Sequence, residues 1–292
     1  MRIASFNEGR VGVIDGTDVV DLTTLVAASD SAGISAMRLL ITRWDELGEE
    51  VAALSGPRVP LSAVALDAPV PDPSKVIAAP VNYVGHQAEM NAEFQVGSLG
   101  MFLKAPSSII GDHDVIVLPY TDRRFDHEAE LAFVIGRPAR HVAVEDALKH
   151  IFGYTGLLDI TMRGGEDRST RKSFDSFTPL GPWLVTPEEF GDPSDVDIEL
   201  CVNDQVRQNA NTRDLIWGVV ELIVYASSVM TLLPGDVLST GTPAGVGPLH
   251  HGDDVVLHIG RIGTLSVSVS SETATRCPTG GAEHGPKLPP TT

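Results

Sequence analysis

Two glutamates one residue apart, Glu128 and Glu130, open an apolar run, Leu131-Ala132-Phe133-Val134-Ile135. On a strand, residues i and i+2 face the same side, so the two carboxylates project together. Their mutual repulsion at the mouth of an apolar strand calls for a neutralising partner, and a divalent cation neutralises them directly. Oxygen ligation without Cys points to Mg²⁺, with Mn²⁺ or Ca²⁺ as alternatives, rather than to zinc. The plainer account of the same pair is a solvated strand edge. Asp159 ends a second apolar run, Gly153 to Leu158, where an unpaired charge is costly. It reads either as a third ligand or as a helix N-cap.

Other residues supply proton transfer and anion binding. His86 and Glu89 stand three apart, so on a helix they share a face and the carboxylate can orient the imidazole and raise its basicity. That is a general base with its orienter, or else a surface i,i+3 pair. Lys104 and Lys172 each sit beside apolar residues, either as cationic partners for an oxyanion or as surface lysines with buried stems. Arg163, four residues after Asp159, suits a bidentate grip on a substrate carboxylate, with a salt bridge to Glu166 or Asp167 as the alternative. The segment from Pro234 to Gly247 holds four Gly and two Pro, lacks the Lys of a phosphate-binding loop, and reads as a strand ending in a tight loop against a ligand.

The elements that must position these groups are mostly strands. Among 292 residues, 42% are hydrophobic and 21% charged, which is globular composition with material for a large core. The formal net charge of −18 repels phosphate backbones and anionic lipid surfaces, so neither nucleic acid nor membrane is an expected partner. Residues 1–70 read as a small separate α/β unit, with strands at Arg2–Phe6 and Val11–Ile14, a turn at Asp15-Gly16, and helical stretches around Met37 to Leu47. Three prolines from Pro69 to Pro73 make a rigid linker. Residues 71–270 read as a larger, β-rich domain. Its clearest strands are Leu131–Ile135, Val255–Ile259 and Leu265–Val269, with a hairpin turn at Asn203-Asp204. Helices are expected at Val144–Ile151 and Thr212–Leu233. The apolar stretch Leu215–Leu233 carries Glu221 and reads as a core helix rather than a membrane span. Residues 271–292 read as a disordered tail. Cys201 and Cys277 lie in unrelated contexts and the N-terminus lacks a signal-peptide run, so a reducing cytoplasm is expected.

In order along the chain, these motifs resemble the fumarylacetoacetate hydrolase family. They are Asn82-Tyr83 with His86 and Glu89, Lys104-Ala105-Pro106-Ser107-Ser108, Glu128-Ala129-Glu130, and Leu158 to Arg163. Lys172-Ser173-Phe174-Asp175, Pro179-Leu180-Gly181-Pro182 and the Pro234–Gly247 loop follow. The match runs from about Lys75 to Val269. The resemblance implies a mixed β-rich α+β fold with a β-roll catalytic domain, a homodimer, and a metal held by Glu128, Glu130 and Asp159. It implies a His86–Glu89 dyad on a lid that orders over substrate, Lys172 close to the reacting carbonyl, and Lys104, Arg163 and Thr242 as substrate-binding residues. Many members carry Asp and Gln after the arginine where this chain reads Gly164-Gly165-Glu166, and its segment from Asp159 to Lys172 is shorter than in several relatives. An acid at Glu166 bears on which substrate is accepted.

The resemblance and the residues together lead to a metal-dependent hydrolase of a 1,3-dicarbonyl acid, an acylpyruvate or fumarylpyruvate-like product of aromatic ring cleavage. Its substrate is a small anionic 2-oxo acid. The rival is an isomerase or decarboxylase of hydroxymuconate-type diacids or of oxaloacetate, in which His86 moves a proton between carbons instead of activating water.

Overall fold

Alternation along the central strands sorts side chains onto two cores. In Ala129–Ile135 the residues Leu131, Phe133 and Ile135 enter one buried cluster, and Ala132 and Val134 enter the other. All seven residues are buried, so this strand has no solvent face. It pairs antiparallel with Ile151–Leu158 on one side and Val237–Ser239 on the other. Val237–Ser239 in turn runs parallel to Val76–Ala78, which makes the sheet mixed. The first core lies between this 11-stranded sheet and a 5-stranded sheet that contains Asp197–Val202, Asp254–Ile259 and Gly263–Ser270. The expected β-rich α+β architecture is what the computed structural model has, and it describes residues 1–26 and 33–279.

The N-terminal residues do not stand apart as expected. Arg2–Phe6 pairs with Thr178–Val185, so the N-terminal strands extend the large sheet. Ile3, Val13, Leu40 and Val51 share the second core with Ala132, Val134, Leu157 and Leu184. Asp15 pairs with Asp18, which moves the turn to Gly16-Thr17. The helical stretches around Met37 to Leu47 are two helices, Ala36–Thr42 and Trp44–Ala52, separated at Arg43. Val144–His150 is a 3-10 helix rather than an α-helix. The segment Thr212–Leu233 is a 3-10 turn, Thr212–Asp214, followed by the helix Val219–Val229. The gap arises because Asn82 takes over the backbone there: its Oδ1 accepts from Trp217 N–H and its Nδ2 donates to Trp217 C=O, both at 2.8 Å. Among the described residues no helix is long and apolar enough to cross a membrane.

The hairpin at Asn203-Asp204 forms as expected, with φ of 51° and 61° as a tight two-residue turn requires. Both cysteines are free. Residues 271–279, expected within a disordered tail, are held by hydrogen bonds to the body of the protein. Thr121 N–H donates to Thr275 C=O at 2.9 Å and Cys277 N–H to Asp122 Oδ1 at 2.8 Å, so residues 271–279 lie against the 119–124 loop. Residues 280–292 of that expectation fall outside the described residues.

Candidate active site

Register brings the three acids together. Ala129 faces Leu158 across the central antiparallel pair, so Glu128 and Asp159 lie side by side just beyond it, and Asp159 N–H donates to Glu128 C=O at 2.8 Å. Glu130 is two residues further in, opposite Leu157. Oxygen atoms of Glu128, Glu130 and Asp159 lie within 4.8 Å of one another, and all three residues are buried.

Two lysines reach into this cluster. Lys172 Nζ makes three hydrogen bonds, to Glu128 Oε2 at 2.8 Å, Asp159 Oδ2 at 2.5 Å and Thr161 Oγ1 at 2.7 Å, which uses every ammonium proton. Lys104 Nζ donates to Asp159 Oδ1 at 2.5 Å and to Phe177 C=O at 2.9 Å. Lys104 is not in the cavity wall. Expected as a substrate contact, it braces Asp159 from behind, because the strand Phe102–Lys104 pairs with Val76–Ala78 and carries its ammonium under the cluster.

Charge is unevenly balanced among the acids. Burial opposes ionisation of Glu128, but Lys172 and Arg163 outweigh it and hold the carboxyl at about 2. Glu130 is pushed up to about 8, first by burial and then by Asp159. Its hydrogen bonds come from the Ser239 hydroxyl and, at 3.0 Å, from Gly241 N–H. Burial lowers Lys104, with Asp159 opposing. Burial also works against Lys172, yet Asp159, Glu128 and Glu130 raise it. Three converging oxygen donors and one carboxylate without sufficient positive charge fit a divalent cation, with Glu128, Glu130 and Asp159 as its ligands.

Across the cavity stands the dyad. His86 Nδ1 is 3.0 Å from Glu89 Oε2 on the helix Val84–Glu89, and Glu89 Oε1 accepts Gly245 N–H at 2.9 Å. A carboxylate on Nδ1 keeps a proton there and leaves Nε2 as the basic nitrogen. The turn into this helix is pinned by Asn82, fully buried, whose Nδ2 also donates to Thr240 C=O at 2.8 Å. Gly241, at φ 88°, is needed beneath it, since a Cβ there would lie 2.8 Å from Ala79 C=O and 2.9 Å from Asn82 Cβ. Asn82 stands in one of the motifs but carries no role that the sequence shows, because a buried amide that bridges two segments has no local signature.

The cavity between dyad and acids is about 550 Å³ and is lined by His86, the three acids, Arg163, Lys172 and Thr242, among others. Thr242 Oγ1 accepts from Gln208 Nε2 at 2.8 Å, which leaves its own O–H to donate. Gln208 had no sequence signal. Arg163 is paired neither with Glu166 nor with Asp167. Its Nε binds Asp126 Oδ2 at 2.7 Å, and its Nη2 lies 3.0 Å from Glu128 Oε1. Glu166 instead pairs with Arg123 at 2.5 Å and is not in the cavity wall, so it does not place the negative charge there that its sequence position implied. Gly164 allows this, because a Cβ would sit 2.3 Å from Glu166 Oε2.

The family profile described as fumarylacetoacetate (FAA) hydrolase C-terminal matches residues 75–270. Maleylpyruvate hydrolase of Aquipseudomonas alcaligenes is 45% identical over 286 residues, covering 93% of this chain and 100% of that protein. The oxaloacetate tautomerase Fahd2a of Rattus norvegicus, mitochondrial, is 34% identical over 287 residues, covering 91% of this chain and 90% of its own. A crystal structure of maleylpyruvate hydrolase from Sphingobium sp. SYK-6 in complex with manganese(II) ion and pyruvate superposes with a TM-score of 0.84 at 41% identity, covering 95% of this chain and 100% of the other. Over the span that carries every residue of the site, and with a profile match to more than half its length, the chain belongs to the fumarylacetoacetate hydrolase family.

Proposed function

We propose that the protein is a divalent-metal-dependent hydrolase that cleaves a carbon–carbon bond in a 1,3-dicarbonyl 2-oxo acid of the maleylpyruvate type. The observation that carries this reading is one cavity with an imidazole–carboxylate dyad on one wall and three convergent carboxylates on the other. Mg²⁺ is the proposed physiological ion, with Mn²⁺ or Ca²⁺ as substitutes, and Glu128, Glu130 and Asp159 hold it. When bound, such an ion would supply Lewis-acid stabilisation of the enolate formed from the 2-oxo acid. His86 Nε2 takes a proton from water, whose oxygen adds to the distal acyl carbon. The bond between that carbon and its neighbour breaks, its electron pair leaves on the pyruvate enolate, and a proton returns to carbon. Glu89 balances the imidazolium that forms. Lys172 keeps Glu128 ionised and holds Asp159 in place, and the Thr242 hydroxyl is available to a substrate oxygen.

Water activation is what distinguishes this from isomerisation or decarboxylation at the same site, and a dyad held at both ends is built for it. The enzyme is proposed to act in the cytoplasm on an aromatic ring-cleavage product and to work as a homodimer. Exposed Val144, Leu148 and Val229, on two helices packed against each other, offer an apolar face for a second copy. The test is a turnover screen of maleylpyruvate, acetylpyruvate, oxaloacetate and hydroxymuconates with Mg²⁺, following enol absorbance and products. Hydrolysis to pyruvate plus the second acid is expected. Isomerised or decarboxylated product without hydrolysis refutes the reading.

A further inference from the structure

Two arginines in the cavity wall are left over by the mechanism. Arg168 and Arg171 bound the short helix Arg168–Arg171, which is capped by Asp167 through Ser169 N–H at 2.8 Å. Both line the cavity, and both are half-buried. Neither meets a carboxylate. Arg171 binds only backbone carbonyls, Glu166 C=O through Nε at 2.8 Å and Met162 C=O through Nη1 at 3.4 Å. Among the described residues the Arg168 side chain makes no hydrogen bond or ion pair. Burial, and then the neighbouring Arg163 and Arg168, push Arg171 below the ordinary arginine value, outweighing the opposing pull of Glu128 and Glu166.

The other cations of the cavity are committed. Lys172 is saturated by Glu128, Asp159 and Thr161, and Arg163 is held by Asp126 and Glu128. Of the two acids of this segment, Glu166 is drawn away by Arg123 and Asp167 is turned to the helix cap, where it accepts Ser169 N–H. Outside the triad the only carboxylate in the described wall is Glu93, exposed on the segment after the dyad. In a protein of net charge −18, two unpaired guanidiniums in a ligand cavity form a local anion site.

We infer that Arg168 and Arg171 bind a second, distal carboxylate, so that the cavity selects 2-oxo acids bearing a carboxylate at the far end over those with a neutral acyl tail. The inference rests on the proposed hydrolase reading and names its substrate class. It also accounts for the short segment between Asp159 and Lys172: the compact turn brings both arginines onto the wall while Glu166 is turned off it.

The test compares ligands of equal length that differ in one charge. In calorimetry with Mg²⁺ present, the parent protein is expected to bind 2-oxoheptanedioate about 10- to 100-fold more tightly than 2-oxoheptanoate, the range for hydrogen bonds to a charged group. Arg168→Gln, which removes no internal bond, is expected to lose part of that preference, and Arg168→Gln/Arg171→Gln all of it. Equal affinity of the parent for both ligands, or equal weakening of both in the variants, overturns the inference. Turnover separates the two readings, through the ratio of kcat/KM for maleylpyruvate to that for acetylpyruvate. Hydrolysis of both at the same kcat/KM by the parent removes the distal site and leaves the hydrolase. A binding preference without hydrolysis of either substrate removes the hydrolase and leaves the site.

Discussion

Replacing His86 with Ala is expected to lower hydrolysis of maleylpyruvate by about 10²–10⁴-fold, the worth of a positioned general base. That is about 3–5 kcal/mol of barrier. The structure also grades the second member of the dyad. Glu89 receives His86 Nδ1 at 3.0 Å on one oxygen and Gly245 N–H at 2.9 Å on the other. Glu89→Gln keeps the shape but exchanges a charge-assisted hydrogen bond for a neutral one, a difference of about 1 kcal/mol, or roughly 5- to 10-fold in rate. The amide also has only one acceptor oxygen for two donors, so a loss above that range is still consistent. The assay follows enol absorbance and pyruvate release for hydrolysis, and carbon dioxide release from oxaloacetate in parallel. Decarboxylation involves no attacking water, so His86→Ala is expected to retain it. Equal loss of both reactions assigns His86 to carbon protons or to closure of the cavity, and no loss of either refutes the dyad as machinery.

Glu130→Gln removes one ligand charge and is expected to abolish metal-dependent turnover in a folded protein; calorimetry showing parental Mg²⁺ affinity refutes the ligand assignment. The metal-free parent should lose stability as pH rises from about 4.5 to 8, because the folded state holds a proton on Glu130 that the unfolded chain has already released. Thermal melts across that window test this, and Glu130→Gln should flatten the slope. Lys104→Met keeps the volume but strips Asp159 of a fully buried partner, which costs about 3–5 kcal/mol when one member of a buried pair is removed; denaturant titration showing parental stability refutes the bracing role. Residues 85–99 carry Met90 and Phe94 exposed at the cavity, and their amide exchange should slow when oxalate binds with metal. Equal exchange with and without oxalate excludes a closing lid.

What the sequence alone determined is chemistry that repeats at short spacing. A period of two puts Glu128 and Glu130 on one side of a strand, and a spacing of three puts His86 beside Glu89, whatever the rest of the chain does. Alternation and turn residues made the strands and the Asn203-Asp204 hairpin legible for the same reason. Everything that depends on which strand lies beside which had to wait for the tertiary structure. Pairing of Ala129 with Leu158 brings Asp159 to the glutamates, and pairing of Arg2–Phe6 with Thr178–Val185 merges the N-terminal residues into the large sheet. Cations show the limit most clearly. Lys104, Arg163, Arg168 and Arg171 are alike as sequence, each a long side chain with several rotamers near apolar or polar neighbours. Only the placement of carboxylates from distant strands commits Lys104 to Asp159 and Arg163 to Asp126. The same placement leaves Arg168 and Arg171 open to a ligand, because Glu166 pairs with Arg123 and Asp167 caps the helix.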